Sequence, residues 1–315
     1  MLYCNNIIRF PLLMKKNRIT LALLLLLLSA PLSAASLKLF TSVLPIASLV
    51  SLVGGERVSV EALVTAGHDP VTYDPQPSQL QRLGEADLYF TSGLPFEKVW
   101  MGKIRALNPR MKIIDLRQNL PVDAEDGTDS DQHESHPHGH GHGHGHGHGH
   151  GHGHEGGDPH VWTSPANIDV ILALIAEELT ANDPHGADYY QGNLQAAQQR
   201  FRQVDRRAVE VLPVIESPYF LVFHPAWGYL ASEYGLVQVV IEMDGKEPGP
   251  RRLAELIEMA GQKGIGKIFV QPQFDQRIAA VIADAIDAKL VVVDPLSDDL
   301  VQSLNDFLDA MQVLE

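Results

Sequence analysis

Apolar positions along this chain alternate between two periods. Short apolar or alternating runs at residues 37–43, 57–64, 87–91 and 111–116 read as strands, and the stretches between them at 45–53, 78–83 and 96–107 have helical spacing. Gly54-Gly55 closes the first helix, and residues 65–77 form a loop rich in Gly, Asp and Pro. Ser78 is placed to cap the helix that follows. Beyond residue 160, Ile168, Ile171, Leu172, Ile175 and Leu179 line one face of a helix at 165–180, and a longer polar helix covers 187–212. Strands at 219–223, 237–241, 265–270 and 290–293 then alternate with helices at 226–234, 251–263, 275–285 and 298–313. A β/α succession of this kind predicts parallel sheets covered by helices. The chain is therefore expected to be α/β, with lobes at 36–183 and 214–315 joined by a long helix over 184–213. Few apolar positions mark that helix, as in a connector that bridges domains through solvent. No sequence repeat between the two lobes is strong enough to be recognised from a single chain.

Residues 1–35 break this pattern. Lys15, Lys16 and Arg18 precede a leucine-dominated run at 19–28, followed by Pro31 and the small residues Ser33, Ala34 and Ala35. That order is a basic region, an apolar region and a cleavage site, so a cleavable signal peptide is expected. The run is short for a membrane span, and direct membrane insertion is not expected. The single cysteine, Cys4, lies upstream of the cut, which leaves the mature chain without disulfide, thiolate ligand or lipidated cysteine.

Charge narrows the partners. The chain carries 24 basic and 39 acidic residues, and loss of residues 1–35 leaves 20 against 39, a net charge of −19. Such a surface disfavours nucleic acid and anionic membranes, and it attracts cations as well as maintaining solubility.

Of the 15 histidines, 11 fall in one acidic, Gly-rich segment at about 123–157. They are His133, His136, His138, His140, His142, His144, His146, His148, His150, His152 and His154, alternating with glycine from His138 onward. Neutral imidazole binds Zn, Cu and Ni, and glycine denies the segment a packed face. The tract reads as an auxiliary, low-affinity metal-binding loop. It cannot be one defined site, because any three or four of its imidazoles could chelate an ion with similar geometry.

The defined site is sought among the other histidines. His224 ends the strand at 219–223 and Asp294 the strand at 290–293, each followed by proline, and ligands in open α/β sheets gather beyond strand carboxyl ends. His160 follows Asp158-Pro159 before the helix at 165–180, and His68 lies in the loop after the strand at 57–64. Three imidazoles and one carboxylate converging from two lobes would make a four-coordinate site of the kind zinc prefers. Each also has an ordinary alternative, since a loop histidine can simply bond at the surface and Asp-Pro can initiate a turn. His185 sits in an interhelical turn. Glu247 is a further oxygen donor, or helix-start chemistry. Trp162, Trp227 and Tyr229 could form a dry wall around the ligands, or ordinary core.

These motifs together carry a resemblance. Gly67-His68-Asp69-Pro70-Val71-Thr72-Tyr73, Asp158-Pro159-His160-Val161-Trp162, Phe223-His224-Pro225-Ala226-Trp227, Gln271-Pro272-Gln273-Phe274 and Asp294-Pro295-Leu296 resemble, in order, the zinc-binding periplasmic components of ABC importers. The resemblance spans residues 36–315. It implies two α/β lobes joined by a rigid helix, a metal held between them and a His-rich loop in the first lobe. It also implies His160, His224 and Asp294 as ligands of Zn(II). At the family's first ligand position this chain has Val71, which cannot coordinate. His68, three residues earlier, is the expected substitute, with a water or a tract histidine as the other ways to fill the position. A nitrogen-rich set favours zinc over manganese, while nickel and copper share the donor preference. The implied function is capture of zinc in the periplasm by a monomer, for transfer to an inner-membrane ABC permease and its cytoplasmic ATPase. Two other functions remain open. Three ligands plus water also serve zinc hydrolases, although no His-Glu-x-x-His pair or nucleophile elbow occurs here. A periplasmic zinc buffer or metallochaperone would make the tract the main functional element.

Overall fold

In the computed structural model, which describes residues 36–124, 157–215, 217–242 and 245–312, the eight strands form two separate four-stranded sheets. The signal-peptide expectation for 1–35 and the histidine tract at 133–154 lie outside the described residues. The first sheet holds β1 (Leu37–Thr41), β2 (Val58–Ala62), β3 (Leu88–Thr91) and β4 (Lys112–Asp115), all parallel, in the order β2-β1-β3-β4. The second holds β5 (Tyr219–Val222), β6 (Val237–Val240), β7 (Lys267–Val270) and β8 (Lys289–Val292), all parallel, in the order β6-β5-β7-β8. The two orders are the same, so the lobes repeat in topology. In each, the order reverses beside the first strand, which is where a doubly wound sheet opens a crevice beyond its carboxyl ends.

The helices are α1 (Leu44–Gly54), α2 (Pro77–Leu83), α3 (Pro95–Leu107), α4 (Pro165–Asn182), α5 (Ala187–Val211), α6 (Gly228–Tyr234), α7 (Pro250–Gln262), α8 (Arg277–Ile286) and α9 (Leu300–Gln312). Local chemistry moves some ends from their expected positions. Gln76, not Ser78, precedes α2, because Pro77 takes the first helical position and Gln79 reaches back to accept the Gln76 N–H at 2.9 Å. Helix α6 starts at Gly228 because the Trp227 N–H is taken by Gln238 Oε1 at 2.8 Å. Helix α1 ends on Gly55 at φ 51°, where a Cβ would run into the Tyr189 ring.

The long helix α5 corrects the picture of a connector through solvent. Its 25 residues span about 37 Å. Tyr190, Leu194, Ala197, Phe201, Val204, Ala208 and Val211 are buried along it, at alternating spacings of four and three. This is a narrow seam of coiled-coil type, and it packs on α1, α4 and α9. The polar majority of the helix faces out, and the seam joins one apolar core that runs through both lobes.

That core continues across the lobe boundary. Trp162, fully buried, donates from Nε1 to the Pro295 carbonyl at 2.7 Å, pinning the turn before α4 to the loop after β8. Phe307 of α9 stacks on Trp227 at 4.6 Å and on Phe269 at 4.8 Å. Glu233 of α6 accepts from the Ser164 hydroxyl and the Ala166 N–H, so a side chain of the second lobe caps α4 of the first. Burial, aided by the charge of Asp205, raises the Glu233 carboxyl above the usual glutamate range against the pull of the Ser164 and Ala166 bonds.

Two stability outcomes follow. Phe201→Ala removes a buried ring from the seam and is expected to lower the unfolding free energy by about 3–5 kcal/mol, measured by urea denaturation. Because the Glu233 carboxyl is raised, folding takes up a proton there. Its contribution is complete below the usual glutamate range and is lost as pH rises through the raised value. Across that window the wild-type urea midpoint should therefore decline with pH more steeply than that of Glu233→Gln.

Candidate metal centre

The second sheet presents its chemistry in strand order. Beyond the carboxyl ends of β6, β5, β7 and β8 stand Glu242, His224, Gln271 with Gln273, and Asp294. Gln271 ties the first of these together: its Nε2 donates to the His224 carbonyl at 2.8 Å. From the first lobe, the turn at 158–160 brings His160 to the same place. Asp158 accepts the His160 backbone N–H at 2.8 Å, and the Tyr229 hydroxyl donates to the Asp158 carbonyl at 2.9 Å. Tyr229 stays a neutral donor, its phenol pushed up to about 12 by burial and by the charges of Asp158 and Asp123.

His160 and His224 meet with ring centroids 5.3 Å apart and planes at 76°. Each ring is oriented by a carboxylate. His160 Nδ1 lies 2.6 Å from Asp158 Oδ1, and His224 Nδ1 lies 2.7 Å from Glu242 Oε1. A carboxylate only accepts, so each Nδ1 carries a proton, and in the neutral ring it is Nε2 that has the lone pair for an electrophile. This is the arrangement in which proteins present imidazole to a metal. Phe274 stacks on His224 at 5.0 Å, and Trp162 meets His160 edge-on at 5.4 Å, which keeps both rings against apolar surface.

The other two expected ligands stand apart from this pair. Asp294 is part-buried, and both the Gln273 Nε2 and the Leu296 N–H donate to its Oδ1 at 2.9 Å. His68 is exposed. Its Nδ1 faces Thr65 Oγ1 at 3.1 Å and the Ala66 carbonyl at 3.2 Å, and its ring meets Tyr73 edge-on at 5.6 Å. Buried Gln79 holds the base of this loop by bonding the Leu63 carbonyl, the Gln76 N–H and the Tyr73 hydroxyl. Asp69 accepts from Val71 N–H at 2.8 Å and from Thr72, a turn that leaves Val71 exposed. His68 lines a narrow cleft whose far wall includes Gln273 and Leu296. Among the described residues no three His, Cys, Asp or Glu side chains stand close enough to share one metal ion.

His185 occupies the short turn before α5, as expected of an interhelical residue. Glu247 is exposed, and its charge helps to raise the Arg277 guanidinium. Trp227 belongs to the core beside Phe307, and its Nε1 has no partner. Sequence reasoning missed Glu242. It stands just past a strand, the same signal that singled out His224 and Asp294, but only the pairing of β5 with β6 places it behind His224. Asp158 lay inside a quoted motif, yet its hold on the ring of His160 required the turn geometry.

Comparison with known proteins places this geometry in context. The family model for zinc-uptake complex component A, periplasmic, matches residues 39–314. The high-affinity zinc uptake system protein ZnuA of Paracoccus denitrificans is 33% identical over 291 residues, covering 86% of this chain and 89% of that protein. The zinc-binding lipoprotein AdcA of Streptococcus pneumoniae is 27% identical over 267 residues, 82% of this chain. The match takes in 50% of AdcA, so the chain spans about half the length of that relative. A crystal structure of ZnuA superposes with a TM-score of 0.75 at 30% identity, covering 88% of this chain and 98% of that one. A ZnuA deletion mutant with zinc bound gives the same TM-score of 0.75 and 30% identity, covering 89% and 99%.

If the carboxylates orient the imidazoles, Asp158→Ala and Glu242→Ala should each weaken tight zinc binding by about 10–100-fold. Chelator competition would read this directly.

Proposed function

The chain belongs to the family of periplasmic zinc-uptake complex component A proteins, and from that premise we propose that it captures Zn(II) in the periplasm for an ABC importer. It delivers the ion to an inner-membrane permease driven by a cytoplasmic ATPase. One observation carries the assignment to a site: two imidazoles 5.3 Å apart, each with Nδ1 on a carboxylate. Paired neutral nitrogens of this kind suit zinc better than the oxygen-rich sets that hold manganese. In this reading Nε2 of His160 and of His224 receive the ion first. Asp294 contributes an oxygen from the end of β8, and His68 comes across from the first lobe to complete a tetrahedral set.

Residues 1–35 direct export and are removed. The working protein is a monomer with lobes at 36–183 and 214–315 joined through 184–213. No described helix is long and apolar enough to cross a membrane. The eleven histidines at 133–154 hold zinc weakly and raise its supply near the mouth of the site. The position of the tract's flanks supports this, since a side chain on Gly228 would meet both Ala124 and Asp158. The family match lends no support to a zinc-dependent hydrolase.

Protein comprising residues 36–315 is expected to bind one zinc tightly and several weakly, by chelator competition and calorimetry. Changing both His160→Ala and His224→Ala should abolish only the tight equivalent; unchanged tight binding in that variant would sink the site assignment. Deleting residues 133–154 should leave growth on scarce zinc largely intact, whereas failure of growth would favour a zinc buffer whose main element is the tract.

A further inference from the structure

Gln273 stands at the end of β7, where it faces both Asp294 and the cleft that His68 lines. Its orientation is fixed by chemistry. Asp294 Oδ1 only accepts, so the nitrogen of the amide must face it, at 2.9 Å, and the oxygen must point the other way. That oxygen, Oε1, is buried and has no hydrogen-bond partner. A buried carbonyl without a donor is a deficit that a folded chain normally removes. Across the cleft stand the Thr65 hydroxyl and the imidazole of His68, whose Nδ1 is bonded only within its own loop, to Thr65 and Ala66.

A second observation points to the same pair. His160 has Asp158 behind it and His224 has Glu242, but His68 has no such acceptor from outside its own loop. A metal-bound histidine gives its second N–H to an acceptor that fixes the ring. We propose that Gln273 is that acceptor, a positioning residue that links His68 to Asp294 through one amide when zinc is bound. One ring nitrogen of His68 takes the metal and the N–H of the other donates to Gln273 Oε1. The Gln273 Nε2–H keeps Asp294 aimed at the same ion. A ligand of the first lobe and a ligand of the second are thereby set by a single side chain. The inference rests on the zinc site proposed above and assigns its least defined member.

The test is a double-mutant cycle in zinc affinity on the mature chain, with Gln273→Met and His68→Ala. Each single change is expected to weaken the tight site by about 10–100-fold, and the pair to weaken it by clearly less than the product of the two, the part that remains additive being the aim Gln273 gives Asp294. A merely structural role for Gln273 would make the losses multiply, and that result overturns the proposal, as does a twofold or smaller effect of either single change. Nitrogen-15 NMR of histidine-labelled wild-type protein supplies an arm that needs no Gln273 variant. Zinc should shift the ring nitrogens of His68 and leave one N–H protected from exchange, and an unshifted ring overturns the proposal. Failure here with the His160 and His224 result intact leaves the zinc-binding function standing and removes only the role of Gln273.

Discussion

A histidine can offer a lone pair in a fixed direction only when its other nitrogen is held. At 2.6 and 2.7 Å, Asp158 and Glu242 hold Nδ1 of His160 and of His224, and the direction of both free nitrogens depends on them. The two carboxylates reach their positions by different means. Asp158 is local, two residues before His160 in a turn that also binds the backbone N–H. Glu242 is remote in sequence and arrives through the parallel pairing of β5 with β6. One half of the pair is therefore set by a turn and the other by a sheet.

Those distances depend on how the lobes are joined. A pair of rings contributed from two lobes keeps its spacing only if the lobes keep theirs. The Trp162 bond to Pro295, the Glu233 cap on α4 and the seam along α5 bind the lobes through the same apolar core. Trp162 belongs to both systems, since its ring meets His160 and its Nε1 reaches the far lobe. Where the core stops, order is supplied by single polar contacts. His68 sits on a loop anchored at its base by Gln79, with its tip exposed to the cleft. That difference between a packed wall and a loop separates the histidine pair from His68.

The periodicity of the chain determined the class of fold, the eight strands and their parallel sense, because burial of the central strands leaves unbroken apolar runs and helical crossovers leave a 3.6-residue period. The strand-end rule also selected His224 and Asp294 correctly as residues at sheet carboxyl ends. Two things misled. The polarity of α5 suggested a helix crossing solvent, because a seam repeating every three to four residues is sparse in composition although continuous in space. With no repeat strong enough to recognise from one chain, the common strand order of the two sheets stayed hidden, since topology depends on which runs pair and not on which residues compose them.

Sequence alone thus determined what is written in local period and residue type: strands, helices, the choice of imidazole, and an acidic chain rich in histidine. Only the tertiary structure decided which polar side chains become neighbours. Glu242 lies 18 residues from His224, and Gln273 lies 21 from Asp294. Such contacts are made when chain segments distant in sequence are brought side by side by burial of their apolar faces. No local pattern encodes them, because the free energy that makes them comes from the core and not from the residues that meet.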